Sequence, residues 1–349
     1  MLAELTGFQR RGNQVWLLAS RDSQIRERAA AANIAVEPLV LGALQFPRMV
    51  VQVACWLRRM RIQVLNPHSS RDAWIAGLAG RLARVPFIVR TRHFDVPIAN
   101  RWLSGIVYRH LTDHILTTSP RVTAHFQESF CLPENRVTTL PTGIDLERFT
   151  SHGEVAELVP AAQRKGKPLI GMVAVIRHAK GHETLLQAAR QLRDQGFEAH
   201  FVIVGEGPNR AHVERRLRDL QLADCVTFTG HREDIPAVLR ALSVLAIPSL
   251  HEGIPQIGLQ ALAAQTPVVG SNVGGIPTII RPGETGRLVP PGDAAALAQS
   301  LRETLIETAV TRAFTERGRV LVEQQHSLPG MLDQLDALYR RYLPSAAGE

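Results

Sequence analysis

Short runs rich in Val, Ile, Leu and Phe alternate along this chain with longer stretches in which apolar residues recur every three or four positions. Runs of four to six residues that are apolar on both faces suit parallel strands covered by helices, so the alternation predicts repeated βαβ units. In the first half the pattern predicts strands over residues 14–19, 35–39, 64–67, 87–90, 114–118 and 137–140, with helices over 46–61, 72–83 and 102–111. In the second half it predicts strands over 169–175, 199–204, 226–229, 244–247, 267–271 and 286–289. Helices there are expected over 183–195, 209–220, 234–241, 258–264 and 294–308, and a last amphipathic stretch covers 331–342.

The rhythm breaks once, near residues 150–168, where a polar segment with two prolines has no sustained period. The expected fold is therefore α/β, with two doubly wound Rossmann-like domains. Residues 1–155 form the first, 156–325 the second, and a C-terminal helix within 326–349 packs back on the first. Residues 2–10 read as a helix capped by Gly12, followed by the strand over 14–19. In doubly wound sheets the first strand lies in the middle and ends in a glycine-rich turn. No such strand precedes residue 2, which predicts that the first strand lies upstream of Met1.

A length of 349 residues fits two cores better than one. The three cysteines (Cys55, Cys131 and Cys225) match no metal-ligand spacing and read as buried free thiols. No apolar run reaches the ~18 residues that span a bilayer, and the N-terminus lacks the layout of a secretory signal, so a cytoplasmic location is expected. The net charge of +8 lies wholly in the first half: residues 1–150 hold 19 Arg, no Lys and 11 acidic residues. Such a domain suits an anionic membrane surface or an acidic acceptor. Aromatics make up only 5% of the chain and do not interleave with the arginines, which argues against nucleic acid.

Candidate chemistry concentrates in the second half. Residues 251–280 open just after a buried strand, with Glu252 on a loop leading into a helix. The backbone N–H groups of Gly253, Ile254, Gln256 and Ile257 are placed to meet an anion at that helix start, while Pro255 supplies none. Gln260 lies two turns along roughly the same face. A carboxylate and an amide so arranged suit the hydroxyls of a sugar and a ribose. At the end of the strand over 169–175, Arg177 and Lys180 share a turn closed by Gly181. They combine a rigid guanidinium fork with a compact ammonium, both suited to phosphate. The glycine-rich turns at Gly205–Gly207 and Gly274–Gly275 depart from the dinucleotide fingerprint, which removes an oxidoreductase reading.

Arg177 with Lys180-Gly181, the GEGP loop at 205–208, PSLHEGIPQIGLQALA at 248–263, GGIP at 274–277 and PGETGRLVPPGD at 282–293 follow one another in an order that resembles glycosyltransferase family 4. Asn66-Pro67-His68-Ser69-Ser70, Arg90-Thr91-Arg92-His93 and Leu140-Pro141-Thr142-Gly143-Ile144-Asp145 agree more loosely. The resemblance implies a GT-B fold, its two domains facing a cleft, and retaining transfer from a nucleotide-sugar donor to a glycan or lipid-linked acceptor. It points to bacterial envelope polysaccharide or lipopolysaccharide synthesis on the inner face of the cytoplasmic membrane. It also implies roles: Arg177 and Lys180 on the donor diphosphate, Glu252 on the transferred sugar, and His93 near the sugar and acceptor. Gly207 and Arg232 would lie near the nucleotide, with Gly253, Ile254, Gln256, Ile257 and Gln260 completing the donor site. No metal or other cofactor is implied.

Three departures stand out. The family's second glutamate is Gln260 here, Thr278 replaces a frequent acidic residue, and the first glycine loop is missing. Gln260 and the missing strand keep open a non-catalytic GT-B scaffold that binds a partner. A GT-B nucleotide-sugar epimerase or a phosphorylase is the rival within enzymes.

Overall fold

The computed structural model describes residues 1–20, 23, 25–39, 46–92 and 101–343. They form two compact units: Met1–Gly143 with Leu328–Glu349, and Ile144–Ser327.

The first unit runs α1 (Leu2–Arg10), β1 (Trp16–Ser20), α2 (Ile25–Ala31), β2 (Ala35–Leu39), α3 (Phe46–Arg59), β3 (Val64–Leu65), α4 (Ser70–Ala83) and β4 (Phe87–Arg92). It continues with α5 (Arg101–Ile106), β5 (His114–Thr117), α6 (Pro120–Phe130) and β6 (Val137–Thr139). All its strand pairs are parallel, but they fall into two sheets, β1–β2 and β3–β4–β5–β6. The break lies between β1 and β3, the two strands that would flank a central first strand in a doubly wound sheet. Apolar side chains nonetheless span it: Trp16 and Leu18 of β1 and Leu65 of β3 pack against one cluster around Met49, Trp56 and Leu57.

The expected helix over 102–111 is α5 followed by one π-helical turn, Val107–Leu111, which buries Tyr108. Arg90 stacks over the Tyr108 ring at 4.4 Å. Cys55 and Cys131 are exposed rather than buried, and Cys225 is half-buried. Inward positions on α3 belong to Val53, Ala54, Trp56 and Leu57, and Cys131 takes the left-handed position that ends α6.

The second unit runs α7 (Ala161–Arg164), β7 (Leu169–Val173), α8 (His182–Asp194), β8 (His200–Val204), α9 (Arg210–Asp219), β9 (Val226–Gly230), α10 (Ile235–Ala241) and β10 (Val244–Ile247). Then follow α11 (Gln256–Ala263), β11 (Val268–Ser271), α12 (Ile276–Ile279), β12 (Arg287–Val289), α13 (Ala294–Ile306) and α14 (Thr308–Gln325). Its six parallel strands lie in the order β12–β11–β10–β7–β8–β9. The chain thus winds outward from β7 in one direction and returns to β10 to wind in the other. Side chains of α10, α11, α12 and α14 cover one face, and those of α8, α9 and α13 cover the other. Residues 144–155 belong to this unit, because Ile144 and Phe149 are buried in its core.

The last helix, α15 (Leu328–Tyr342), belongs to the first unit. Its Leu332, Leu335 and Leu338 join Phe8 of α1 and Phe87 of β4 in one cluster, with Tyr342 stacked on Phe87 at 4.3 Å.

Candidate active site

In an open α/β sheet, ligands bind beyond the carboxyl ends of the strands where the winding reverses. Here that point lies between β7 and β10, which are paired through Val244 with Ile170 and Leu245 with Gly171. The β7 turn carries Arg177 and Lys180, and the β10 loop carries Glu252. Sheet order therefore joins two segments 72 residues apart: Lys180 Nζ lies 2.5 Å from Glu252 Oε2. Ser249 Oγ donates to the same oxygen at 3.1 Å. The Glu252 side chain is only 8% exposed and that of Lys180 29%, so a carboxylate held by two donors sits at the mouth of the switch point.

Backbone contacts fix these loops to one another. The Leu250 amide donates to the Ala179 carbonyl (2.8 Å), the Asn209 amide to Ile176 (3.1 Å) and the Gly275 amide to Gly253 (3.1 Å). Gly181 at φ +76° and Gly274 at φ +58° leave no room for a Cβ. One placed there would sit 1.8 Å from the Pro248 carbonyl oxygen or 1.8 Å from the Glu252 carbonyl oxygen, respectively. Gly274→Ala combines a strained φ with a backbone clash. It is expected to cost at least ~2 kcal/mol of stability in the second unit and to displace Glu252, readable by urea unfolding and nucleotide titration.

The amides of Gly253, Ile254, Gln256 and Ile257 have no hydrogen-bond partner among the described residues. Helix α11 begins at Gln256, two residues before the expected start, with Pro255 as its N-cap. Gln260 lies on its second turn, half-buried, with an amide that likewise has no partner among the described residues. The Arg177 side chain is exposed and makes no hydrogen bond or ion pair among the described residues.

Two expected donor residues have local work of their own. Gly207 packs beneath the β7 turn, where a Cβ would meet the Ile176 carbonyl oxygen at 2.4 Å. The Arg232 fork is closed on Asp234 at 2.9 and 2.5 Å, a pairing that raises the Arg232 pKa and lowers that of Asp234.

In the first unit, Asn66 accepts from the Thr91 amide (3.2 Å) and hydroxyl (3.1 Å), tying β3 to β4, and Ser69 caps α4. Asp145, in the second unit, accepts the amides of Glu147 and Arg148, a turn-forming role. His93 lies outside the described residues. Among the described residues no group of His, Cys, Asp and Glu side chains is arranged to hold a metal ion, and no helix is long and apolar enough to cross a membrane.

Sequence reasoning missed Ser249 and His182. A serine two residues past a strand carries little signal by itself. His182 opens α8, is 2% exposed, and is held down to about 4, mainly by burial and also by Lys180, against the pull of the Arg177 backbone.

Two Rossmann-type units, each built on parallel strands, define the GT-B class of glycosyltransferases. Residues 167–307 match the family model for glycosyl transferases group 1, and residues 2–148 match that for glycosyltransferase family 4. A 2-deoxystreptamine glucosyltransferase of Streptomyces kanamyceticus is 30% identical over 287 residues, 75% of this chain and 73% of that protein. An Escherichia coli UDP-Gal:alpha-D-GlcNAc-diphosphoundecaprenol alpha-1,3-galactosyltransferase is 26% identical over 297 residues, 81% and 76% of the two chains. The structure of Anabaena HepE in complex with UDP-glucose superposes with a TM-score of 0.84 at 17% identity, covering 97% of this chain and 94% of that one. The chain belongs to glycosyltransferase family 4, and it is a glycosyltransferase.

Proposed function

We propose that this protein is a retaining hexosyltransferase that moves a sugar from a nucleotide-sugar donor to a glycan or lipid-linked acceptor. Its setting is bacterial envelope polysaccharide or lipopolysaccharide synthesis, in the cytoplasm on the inner face of the membrane. The observation that carries the reading is the Lys180–Glu252 pair at the switch point, beside unpartnered amides at the start of α11. The UDP-glucose held by HepE and the lipid-linked acceptor in the name of the E. coli relative support a nucleotide-sugar donor and such an acceptor.

In this reading the donor diphosphate meets Arg177, Lys180 and the amides of Gly253, Ile254, Gln256 and Ile257. These groups stabilise the charge that grows on the departing nucleotide. Glu252 accepts from hydroxyls of the transferred sugar, Gln260 meets the ribose, and Gly207 and the Arg232 segment border the nucleotide. The family resemblance assigns His93 a role near the sugar and acceptor. The acceptor hydroxyl attacks from the face the nucleotide leaves, so configuration is kept without a protein nucleophile. Arg177 and Lys180 supply the positive charge, and no divalent ion enters the reading. The arginine excess of residues 1–150, together with the exposed Val51 and Trp102, suits contact with an anionic membrane.

The test is thermal stabilisation by UDP, GDP and ADP and by their sugar conjugates. One nucleotide is expected to raise the melting temperature, and Lys180→Ala to abolish the rise. A folded protein that none of them stabilises overturns the donor site. Release of a product of inverted anomeric configuration overturns retention.

A further inference from the structure

On the α8, α9 and α13 face of the second unit lies a cavity of about 190 Å³. Its lining includes Arg177, His182, Thr184, Asn209 and Gly292. Lys180, Glu252 and Gln260 are not part of it, and α11 packs on the opposite face of the sheet.

The starts of three helices converge on this cavity. Thr184 lies in the first turn of α8, Asn209 is the N-cap of α9, and Gly292 precedes Asp293, the N-cap of α13. These helices are 13, 10 and 13 residues long. The first α8 bond joins the Leu185 amide to the Gly181 carbonyl at 3.2 Å, and the amides of His182, Glu183 and Thr184 that precede it have no partner among the described residues. The Asn209 side chain makes no capping bond. Three positive helix ends beside a guanidinium favour an anion.

A second observation is independent of the helix ends. His182 is 2% exposed, and neither ring nitrogen makes a hydrogen bond of ordinary geometry among the described residues, although the Arg177 backbone lies near enough to act on the ring. A buried ring so poorly partnered is costly, and a polar occupant of the cavity would supply the partner. The two nearby carboxylates are already engaged. Glu183, which also lines the cavity, bonds His212 Nε2 at 2.8 Å. Asp293 caps its own helix through the Ala296 amide at 2.9 Å. Liquid water occupies roughly 30 Å³ per molecule, so the cavity has room for a tetrahedral oxyanion and a few waters.

We propose that this cavity binds inorganic phosphate, through His182, Thr184, Asn209, the α8 amides and Arg177, and that the bound ion competes with the donor diphosphate for the Arg177 guanidinium. The binding half stands on this cavity alone. The competition half rests on the donor reading above, and the two are tested separately.

The experiment is calorimetric titration of the full chain with inorganic phosphate in the absence of nucleotide. Binding is expected, weakened on the order of tenfold or more in His182→Phe and in Asn209→Ala, a change of ~1.4 kcal/mol or more. Asn209 lies at a helix start near the surface, so Asn209→Ala serves if His182→Phe does not fold. No heat of binding at tens of millimolar phosphate, or binding that ignores both substitutions, overturns the site. A second titration with UDP at fixed phosphate is expected to show weaker apparent nucleotide affinity as phosphate rises. Nucleotide affinity independent of phosphate, in a protein that binds both, overturns the competition and leaves the donor reading standing.

Discussion

Lys180→Ala is expected to lower turnover on the order of 10²–10³-fold, the loss typical of one pre-organised charge aimed at a departing anion. The same substitution strands the Glu252 carboxylate, 8% exposed and left with Ser249 as its one remaining donor among the described residues. Breaking a fully buried ion pair costs about 3–5 kcal/mol. With Lys180 29% exposed, solvent screens part of this, and roughly 1–2 kcal/mol is expected. Stability and catalysis can therefore be separated. In the double substitution Lys180→Met with Glu252→Gln, the neutral amide no longer needs a cation, so stability recovers while turnover stays low. Steady-state kinetics and urea unfolding of the three proteins read this out. Near-normal turnover in Lys180→Ala removes the catalytic assignment.

The second large effect is loss of stability in mild acid, in each unit through a different histidine. His114, fully buried in the first unit, and His182 in the second are both held down to about 4, in each case chiefly by burial. Unfolded, each returns to a value near 6.5. Below that value the unfolded chain takes up protons that the folded imidazoles refuse, so stability is full at neutral pH and falls as pH drops towards 4. Between pH 7.5 and 5 each histidine is expected to cost ~2 kcal/mol. All four tryptophans (Trp16, Trp56, Trp74 and Trp102) lie in the first unit. Their fluorescence therefore follows that unit alone, while far-UV circular dichroism follows both. His114→Gln should flatten the pH dependence of the fluorescence transition, and His182→Phe that of the other. Slopes unchanged by both substitutions would rule out this origin.

The fold was legible where a strand is apolar on both faces. The expected strand over 244–247 coincides with β10, because a buried parallel strand shows as an unbroken apolar run. Helix α14 was not legible, since its three threonines and Gly318 blur the helical period. Gly318 is nonetheless what lets α14 approach α11, as a Cβ there would lie 2.6 Å from Leu262 Cδ2. The break between β1 and β3 agrees with a pattern in which residues 2–10 read as a helix rather than a strand.

In the site, Arg177, Lys180 and Glu252 could be singled out because loop charges at strand ends have few structural uses. Their pairing could not, since it depends on β7 lying beside β10, and sheet order is not a local property. Closure of Arg232 on Asp234, two residues on, is local yet equally hidden, because it depends on side-chain rotamers rather than residue type.

The Lys180–Glu252 pair also gives the site a chemical handle. Residues 1–349 contain 37 arginines but three lysines: Lys165, Lys167 and Lys180. Lys165 lies exposed at the end of α7, and Lys167 pairs with Glu198 at 3.0 Å. Arginine does not react with mild acylating reagents, so one of only three modifiable side-chain amines belongs to the proposed donor site. Acylation of Lys180 removes the charge on which turnover is proposed to depend, and a bound diphosphate shields it. Partial labelling followed by peptide mass measurement thus reports donor occupancy from a single residue, without a radiolabelled sugar or a known acceptor.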